Sequence, residues 1–226
     1  MAHMKSHNWE AHNRFNADDP GDKTLRYTFP LNENSIVFDC GAYIGDWAAR
    51  ISEKYNCYIH LFEPVPKYAE MCRQRFKYNP KITVNQYGIG ALNKIVFMNE
   101  QGDGDGSTYK KEGTAVEIVS ITDVLFDLKG NNIFPRGIDL IKINIETEEF
   151  PLMEAMINRN LQHHFNYILT QFHEWADNAE ERHKFIKESI EKSHEVVFDY
   201  NFIWECWKKR EWPGIGSCGD GSSSTK

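Results

Sequence analysis

The chain has 226 residues, of which 41% are hydrophobic, 13% aromatic and 26% charged, a balance that suits one folded core and excludes a disordered or fibrous chain. A formal net charge of −7 leaves no general basic face, which argues against nucleic acid as a partner. No apolar run approaches the roughly 20 residues of a membrane-spanning helix.

Residues 1–34 are polar and broken by the turn signal Asp18-Asp19-Pro20-Gly21, and read as an N-terminal arm with at most a short helix. Met1-Ala2-His3 ahead of a second methionine resembles a cloning scar, and the segment lacks the apolar stretch of a secretory signal, which points to the cytoplasm. Ser35-Ile36-Val37-Phe38-Asp39 reads as a buried strand, followed by glycines and a helix over 45–55. A second strand over 58–62 precedes a helix over 66–78, and a third strand covers 81–87. Shorter strands at 94–98 and 115–119 flank a Gly-rich loop. A buried strand at 138–143 leads to a helix over 148–157, and a strand at 167–170 to a charged helix over 176–192. Strands at 195–200 and 202–207 suggest a closing hairpin. Residues 214–226, rich in Gly and Ser, read as a flexible tail, which leaves 35–213 as the folded domain. The five cysteines are odd in number and scattered without a C-x-x-C pair, so they read as free thiols of a reducing compartment.

This alternation predicts an α/β fold: a mainly parallel sheet with helices on both faces and a C-terminal antiparallel hairpin. Ligands of such sheets bind beyond the carboxyl ends of the strands, so the residues just after each strand are the ones to weigh. The first strand ends in Asp39-Cys40-Gly41-Ala42-Tyr43-Ile44-Gly45, a D-x-G-x-x-x-G spacing in which Gly41 permits a tight turn and Gly45 opens the helix. The second ends in Phe62-Glu63-Pro64, with Glu63 22 residues beyond Gly41, where an acidic side chain suits a ribose diol. Tyr43 stands where a dinucleotide site needs its middle glycine. An NAD-dependent oxidoreductase therefore conflicts with the pattern, whereas a nucleoside carrying a sulfonium and no phosphate fits it.

On these residues the chain resembles the class I S-adenosylmethionine-dependent methyltransferases. Ile138-Asp139-Leu140-Ile141-Lys142-Ile143-Asn144-Ile145-Glu146 is similar to the I-D-L-I-K-I-D-V-E-G signature of the FkbM-type members, with Phe62-Glu63-Pro64 and the Gly/Ser-rich stretch 102–108 in matching order. The resemblance covers roughly residues 35–172. It implies a Rossmann-like seven-stranded domain that transfers methyl from S-adenosylmethionine to a hydroxyl of a sugar, glycan or small metabolite. It implies, too, that Asp39, Gly41, Ala42, Tyr43 and Gly45 surround the methionine end of the cofactor, that Glu63 and Pro64 hold the ribose, that Tyr87 and Gly88 lie near the adenine, that Ser107 closes over it, and that Asn144 and Glu146 face the methyl group. Asn144 replaces the signature's Asp and Thr147 its Gly. Asn is neither a base at neutral pH nor a good ligand for a hard cation, so metal dependence stays open. Removing a hydroxyl proton calls for a base. His173, just after the fifth strand, or Glu146 takes that part, with Lys142 and Asn144 orienting the acceptor. Methyl transfer to nitrogen, and a cofactor-binding relative without turnover, stand as alternatives. The remaining features have plainer readings. Asp103 opens an incomplete calcium loop whose twelfth position is Thr114, and Trp204, Trp207 and Trp212 read mainly as packing.

Overall fold

The computed structural model describes residues 6–98, 113–126 and 130–211. Its main sheet has seven strands: β1 (Ile36–Cys40), β2 (Tyr58–Phe62), β3 (Ile82–Asn85), β7 (Ile138–Ile143), β8 (Phe165–Thr170), β9 (His194–Tyr200) and β10 (Trp204–Lys209). They lie in the order β3-β2-β1-β7-β8-β10-β9. The first five run parallel, while β10 is antiparallel to both neighbours. The parallel sheet, the flanking helices and the C-terminal hairpin are those the alternation predicts. The strands at 94–98 and 115–119 do not extend that sheet. β4 (Gly88–Gly90), β5 (Lys94–Met98) and β6 (Thr114–Ser120) form a separate three-stranded sheet in the order β4-β6-β5.

The centre of the main sheet is buried on both sides because its side chains alternate between two cores. Phe38, Ile141 and Ile168 point into one, under α4 (Ile121–Leu125), α5 (Glu149–Asn158) and α6 (Ala179–Ile190). Val37, Leu140, Ile59 and Leu169 point into the other, under α2 (Asp46–Tyr55) and α3 (Pro66–Phe76). The helix ends follow their sequences. Pro66 takes the first position of α3 behind an extended Val65, Asn56 closes α2 in the left-handed region, and α6 carries Glu180 and Glu181 in its first turn and Lys187 in its last.

The N-terminal segment corrects the expectation of an arm with at most a short helix. Ser6–Asp18 form the 13-residue α1, whose Ala11 and Phe15, four residues apart, are buried on one face. The Phe15 ring meets Tyr200 edge-on at 5.3 Å, and the Tyr200 hydroxyl donates to Asp18 Oδ2 at 2.8 Å. The following turn closes on Asp19, whose carboxylate accepts the backbone N–H groups of Lys23, Thr24 and Leu25. Tyr27 and Phe29 then join the second core. The four described cysteines, Cys40, Cys57, Cys72 and Cys206, are free and buried. No helix among the described residues is long and apolar enough to cross a membrane.

β1 lies between β2 and β7, where the strand order reverses direction, and the chain leaves it through Gly41 at φ +80°. A Cβ on Gly41 would stand 1.9 Å from the Asn144 carbonyl oxygen, so the turns after β1 and β7 touch there through bare backbone. Gly41→Ala combines a disfavoured left-handed conformation with that overlap, and we expect it to cost about 3 kcal/mol or more of folding stability. Urea denaturation monitored by circular dichroism checks this.

Candidate active site

Three residues of the β1–α2 turn are left-handed: Gly41, Tyr43 at φ +51° and Gly45 at φ +80°. Gly45 lies under Phe76, whose ring a Cβ would meet at 2.7 Å. Tyr43 has no such steric excuse, and its conformation is held by a hydrogen bond. Its backbone N–H donates to Glu63 Oε2 at 2.7 Å, while Glu63 Oε1 accepts the Val65 N–H at 2.9 Å. Glu63 thus joins the turn after β1 to the turn after β2. It is buried, and desolvation pushes its carboxyl up to about 7 although both backbone donors pull it down.

A second buried contact supports the turn from behind. Lys142 Nζ, in β7, donates to Asp39 Oδ1 at 2.9 Å and to the Gly41 carbonyl at 2.8 Å. Burial raises the Asp39 carboxyl pKa, opposed by the Lys142 ammonium. Asp39 and Lys142, expected near the cofactor and the acceptor, have side chains 0% and 5% exposed and engaged with each other. Extended β7 projects residue 142 away from residue 143 and into the gap beside β1, so its alternation carries Lys142 towards Asp39.

In front of this support lies a cleft holding about 900 Å³ of empty space, part of it open to solvent. Gly41, Tyr43, Glu63, Pro64, Gly88, Asn144 and Glu146 line it, all singled out from the sequence. Val65, Tyr68, Ile89, Met98, Ile118, Ile145 and Glu148 also line it, and several of these come from the three-stranded sheet. Ala42 is buried in the core under α2. Tyr87 packs its ring 5.7 Å from Phe62 rather than on the cleft. Ser107 lies outside the described residues. Asn144 Oδ1 is a buried acceptor with no hydrogen-bond partner, at the wall of the cleft. The only charged residues in the described lining are Glu63, Glu146 and Glu148, the last bonded to Lys94 at 2.8 Å.

Behind Glu146 is an arrangement that sequence reasoning found only in part. Glu146 Oε2 is 3.7 Å from His173 Nε2. On the far side of the ring, Glu149 Oε1 lies 2.8 Å from His173 Nδ1 and also accepts the His173 backbone N–H at 2.8 Å. His173 is 4% exposed and does not line the cleft, so Glu146 stands between it and the open space. Trp175 packs its ring 4.5 Å from the imidazole and is itself 63% exposed. Glu149 was missed. Its only signal in sequence is its place three residues after Glu146 at a helix start, and nothing there tells it from Glu148. The described residues contain no group of three or more His, Cys, Asp or Glu placed to hold a metal ion.

Residues 39–200 match the family model described as the methyltransferase FkbM domain. No curated protein matches the chain. Among solved structures it is similar to a fibrillarin pre-rRNA processing protein of Methanococcus jannaschii, at 12% identity over 80% of this chain and 69% of that one, with a TM-score of 0.47. It is similar also to a putative methyltransferase from Pseudomonas syringae, at 14% identity over 89% and 99%, with a TM-score of 0.43. An rRNA methylase from Streptococcus thermophilus gives 10% identity over 92% and 99%, with a TM-score of 0.46.

The turn after β7 is strained. Glu146 has φ +54° and the β-branched Thr147 φ +80°, a conformation natural to the glycine of the resembled signature. Thr147→Gly relieves about 1–2 kcal/mol of backbone strain and returns part of it as unfolded-chain entropy. We expect a net stabilisation of about 0.5–1 kcal/mol, read as a higher urea midpoint.

Proposed function

The chain belongs to the FkbM methyltransferase domain family, and from that premise we propose that it is an S-adenosylmethionine-dependent O-methyltransferase acting on a hydroxyl of a sugar, glycan or small metabolite. The observation that carries this reading is the position of Glu63. Its carboxylate is buried at the end of β2 and lines the cleft, and each oxygen, already holding one backbone N–H, has a further lone pair with which it can accept a ribose hydroxyl. The residues present fit the cofactor in a second respect. The unpartnered Asn144 Oδ1 needs a donor, and an ammonium or hydroxyl placed in the cleft supplies one.

When bound, S-adenosylmethionine supplies a methyl group on a cationic sulfur, so that the new C–O bond forms from the acceptor's electron pair, the S–C electrons stay on sulfur, and a proton is left over. Gly41 and Tyr43 shape the floor against which the cofactor rests, and Glu63 fixes its ribose. Pro64, Gly88, Ile89 and Ile118 give the apolar walls that suit an adenine. Glu146, at the cleft surface with His173 behind it, receives the proton of the acceptor hydroxyl. Asn144 orients the acceptor or the cofactor through its carbonyl oxygen. A described lining whose charged groups are all carboxylates favours a neutral acceptor over one rich in phosphate.

Two outcomes follow. A hydroxyl donates best to an ionised carboxylate, and free Glu63 holds its proton up to about pH 7. Affinity for S-adenosylhomocysteine therefore rises from pH 6 to pH 8, with a proton released on binding in that window. Glu63→Gln flattens this dependence and weakens binding about tenfold or more. Calorimetry in buffers of different ionisation enthalpy measures both, and pH-independent binding unaffected by Glu63→Gln sinks the assignment. The second outcome concerns turnover, assayed with labelled methyl groups on a panel of glycosides and hydroxylated metabolites. Glu146→Gln and His173→Ala each lower the rate about a hundredfold without changing cofactor affinity. Analysis of the labelled product tells an oxygen-linked methyl from a nitrogen-linked one.

A further inference from the structure

Glu149 is the first residue of α5 and fully buried, and the proposed reaction gives it no contact with cofactor or acceptor. Its Oε1 receives two bonds from one residue, the backbone N–H and Nδ1 of His173. A carboxylate oxygen accepts, so Nδ1 carries the ring hydrogen. On the other side of the ring, Nε2 lies 3.7 Å from Glu146 Oε2. Because the main chain and the ring of His173 are both held by one oxygen, the imidazole can neither flip nor slide along its strand end. Trp175 packs against the ring, and Phe150, next to Glu149 in α5, packs its own ring 5.1 Å from Phe172. Arg182 of α6 also acts on this cluster: it bonds Glu154, which raises its pKa most, and Glu148 and Glu149 raise it further.

Glu149 Oε2 is buried and has no hydrogen-bond partner. A buried carboxylate oxygen left without a partner costs folding free energy, so stability alone does not account for it.

We propose that Glu149 is a positioning residue: it fixes the tautomer and orientation of His173 so that Nε2 and Glu146 together take up one proton from the acceptor. The inference rests on the methyltransferase reading given above. As the acceptor O–H bond breaks, its proton passes to the Glu146 carboxylate and is shared with His173 Nε2. The imidazolium so formed lies between Glu146 and Glu149, with a carboxylate on each side. The pair returns the proton to water through the open side of the cleft.

The test compares wild type with Glu149→Gln in the full chain. ¹⁵N NMR of histidine-labelled protein at pH 8 reads the tautomer directly, with and without S-adenosylhomocysteine, and thermal melting reads stability. For wild type we expect the Nδ1–H form. For Glu149→Gln we expect loss of that single tautomer, a melting temperature equal to or above wild type, S-adenosylhomocysteine affinity within twofold, and turnover reduced thirtyfold or more. A merely structural Glu149 gives the opposite split, with lower stability and unchanged turnover. An Nε2–H tautomer in wild type, which needs no variant, overturns the proposal, as does a Glu149→Gln protein of wild-type turnover. A wild-type chain that binds no S-adenosylhomocysteine overturns the methyltransferase reading itself and this inference with it.

Discussion

Lys142 and Asp39 face each other across the β1–β7 ladder almost without access to water, and the site turn is held by that contact. The lysine bonds the carboxylate of one strand and the carbonyl of Gly41 beyond it, so a single ammonium ties the strand to the turn that follows. Such a pair adds little net stability, because desolvation cancels most of the attraction, but losing one partner strands a charge in the core at a cost of about 3–5 kcal/mol. The interaction therefore specifies geometry. Gly41 then meets Asn144 through bare backbone, Tyr43 is turned into the left-handed region, and its N–H reaches Glu63.

From that frame the polar chemistry of the site runs in one direction. Glu63, Asn144 and Glu146 stand at the ends of β2 and β7 and face the same cleft. His173 and Glu149 stand behind Glu146, outside the described lining of the cleft. The strained backbone at Glu146 and Thr147 lies where this chain of contacts begins, consistent with a turn held in place by its surroundings rather than by its own preference.

Two peripheral elements complete the enclosure. The three-stranded sheet brings Gly88, Ile89, Met98 and Ile118 to the cleft, giving an apolar wall that the main sheet lacks. On the far edge, α1 and the segment after it cover the second core, with Phe15 and Asp18 on Tyr200 of β9 and Arg26 over the ring of Trp204 in β10. The segment 1–34 is polar on average, yet its few aromatic residues close one side of the sheet.

Much of the fold was legible in the chain because it is written in short-range patterns. Buried runs such as Ile36–Cys40 and Ile138–Ile143, alternating with helical stretches, determine a parallel sheet, and the residues after each strand determine where a ligand approaches. Gly41 and Glu63, read from those strand ends, and Asn144 and Glu146, implied by the family resemblance, all line the cleft. α1 was not legible in this way, since its burial depends on Tyr200, far away in sequence. Nor could sequence separate side chains that share a strand end. Whether Lys142 reaches an acceptor or Asp39, and whether His173 faces the cleft or the back of Glu146, depends on which neighbour lies across the sheet. Glu149 and Glu148 are adjacent and chemically alike, yet one binds His173 in the core and the other Lys94 at the cleft's edge. Local pattern determines secondary structure and strand-end positions. Which buried charge meets which is a long-range question, and only the packed sheet decides it, because unpaired charges in its interior are too costly to leave.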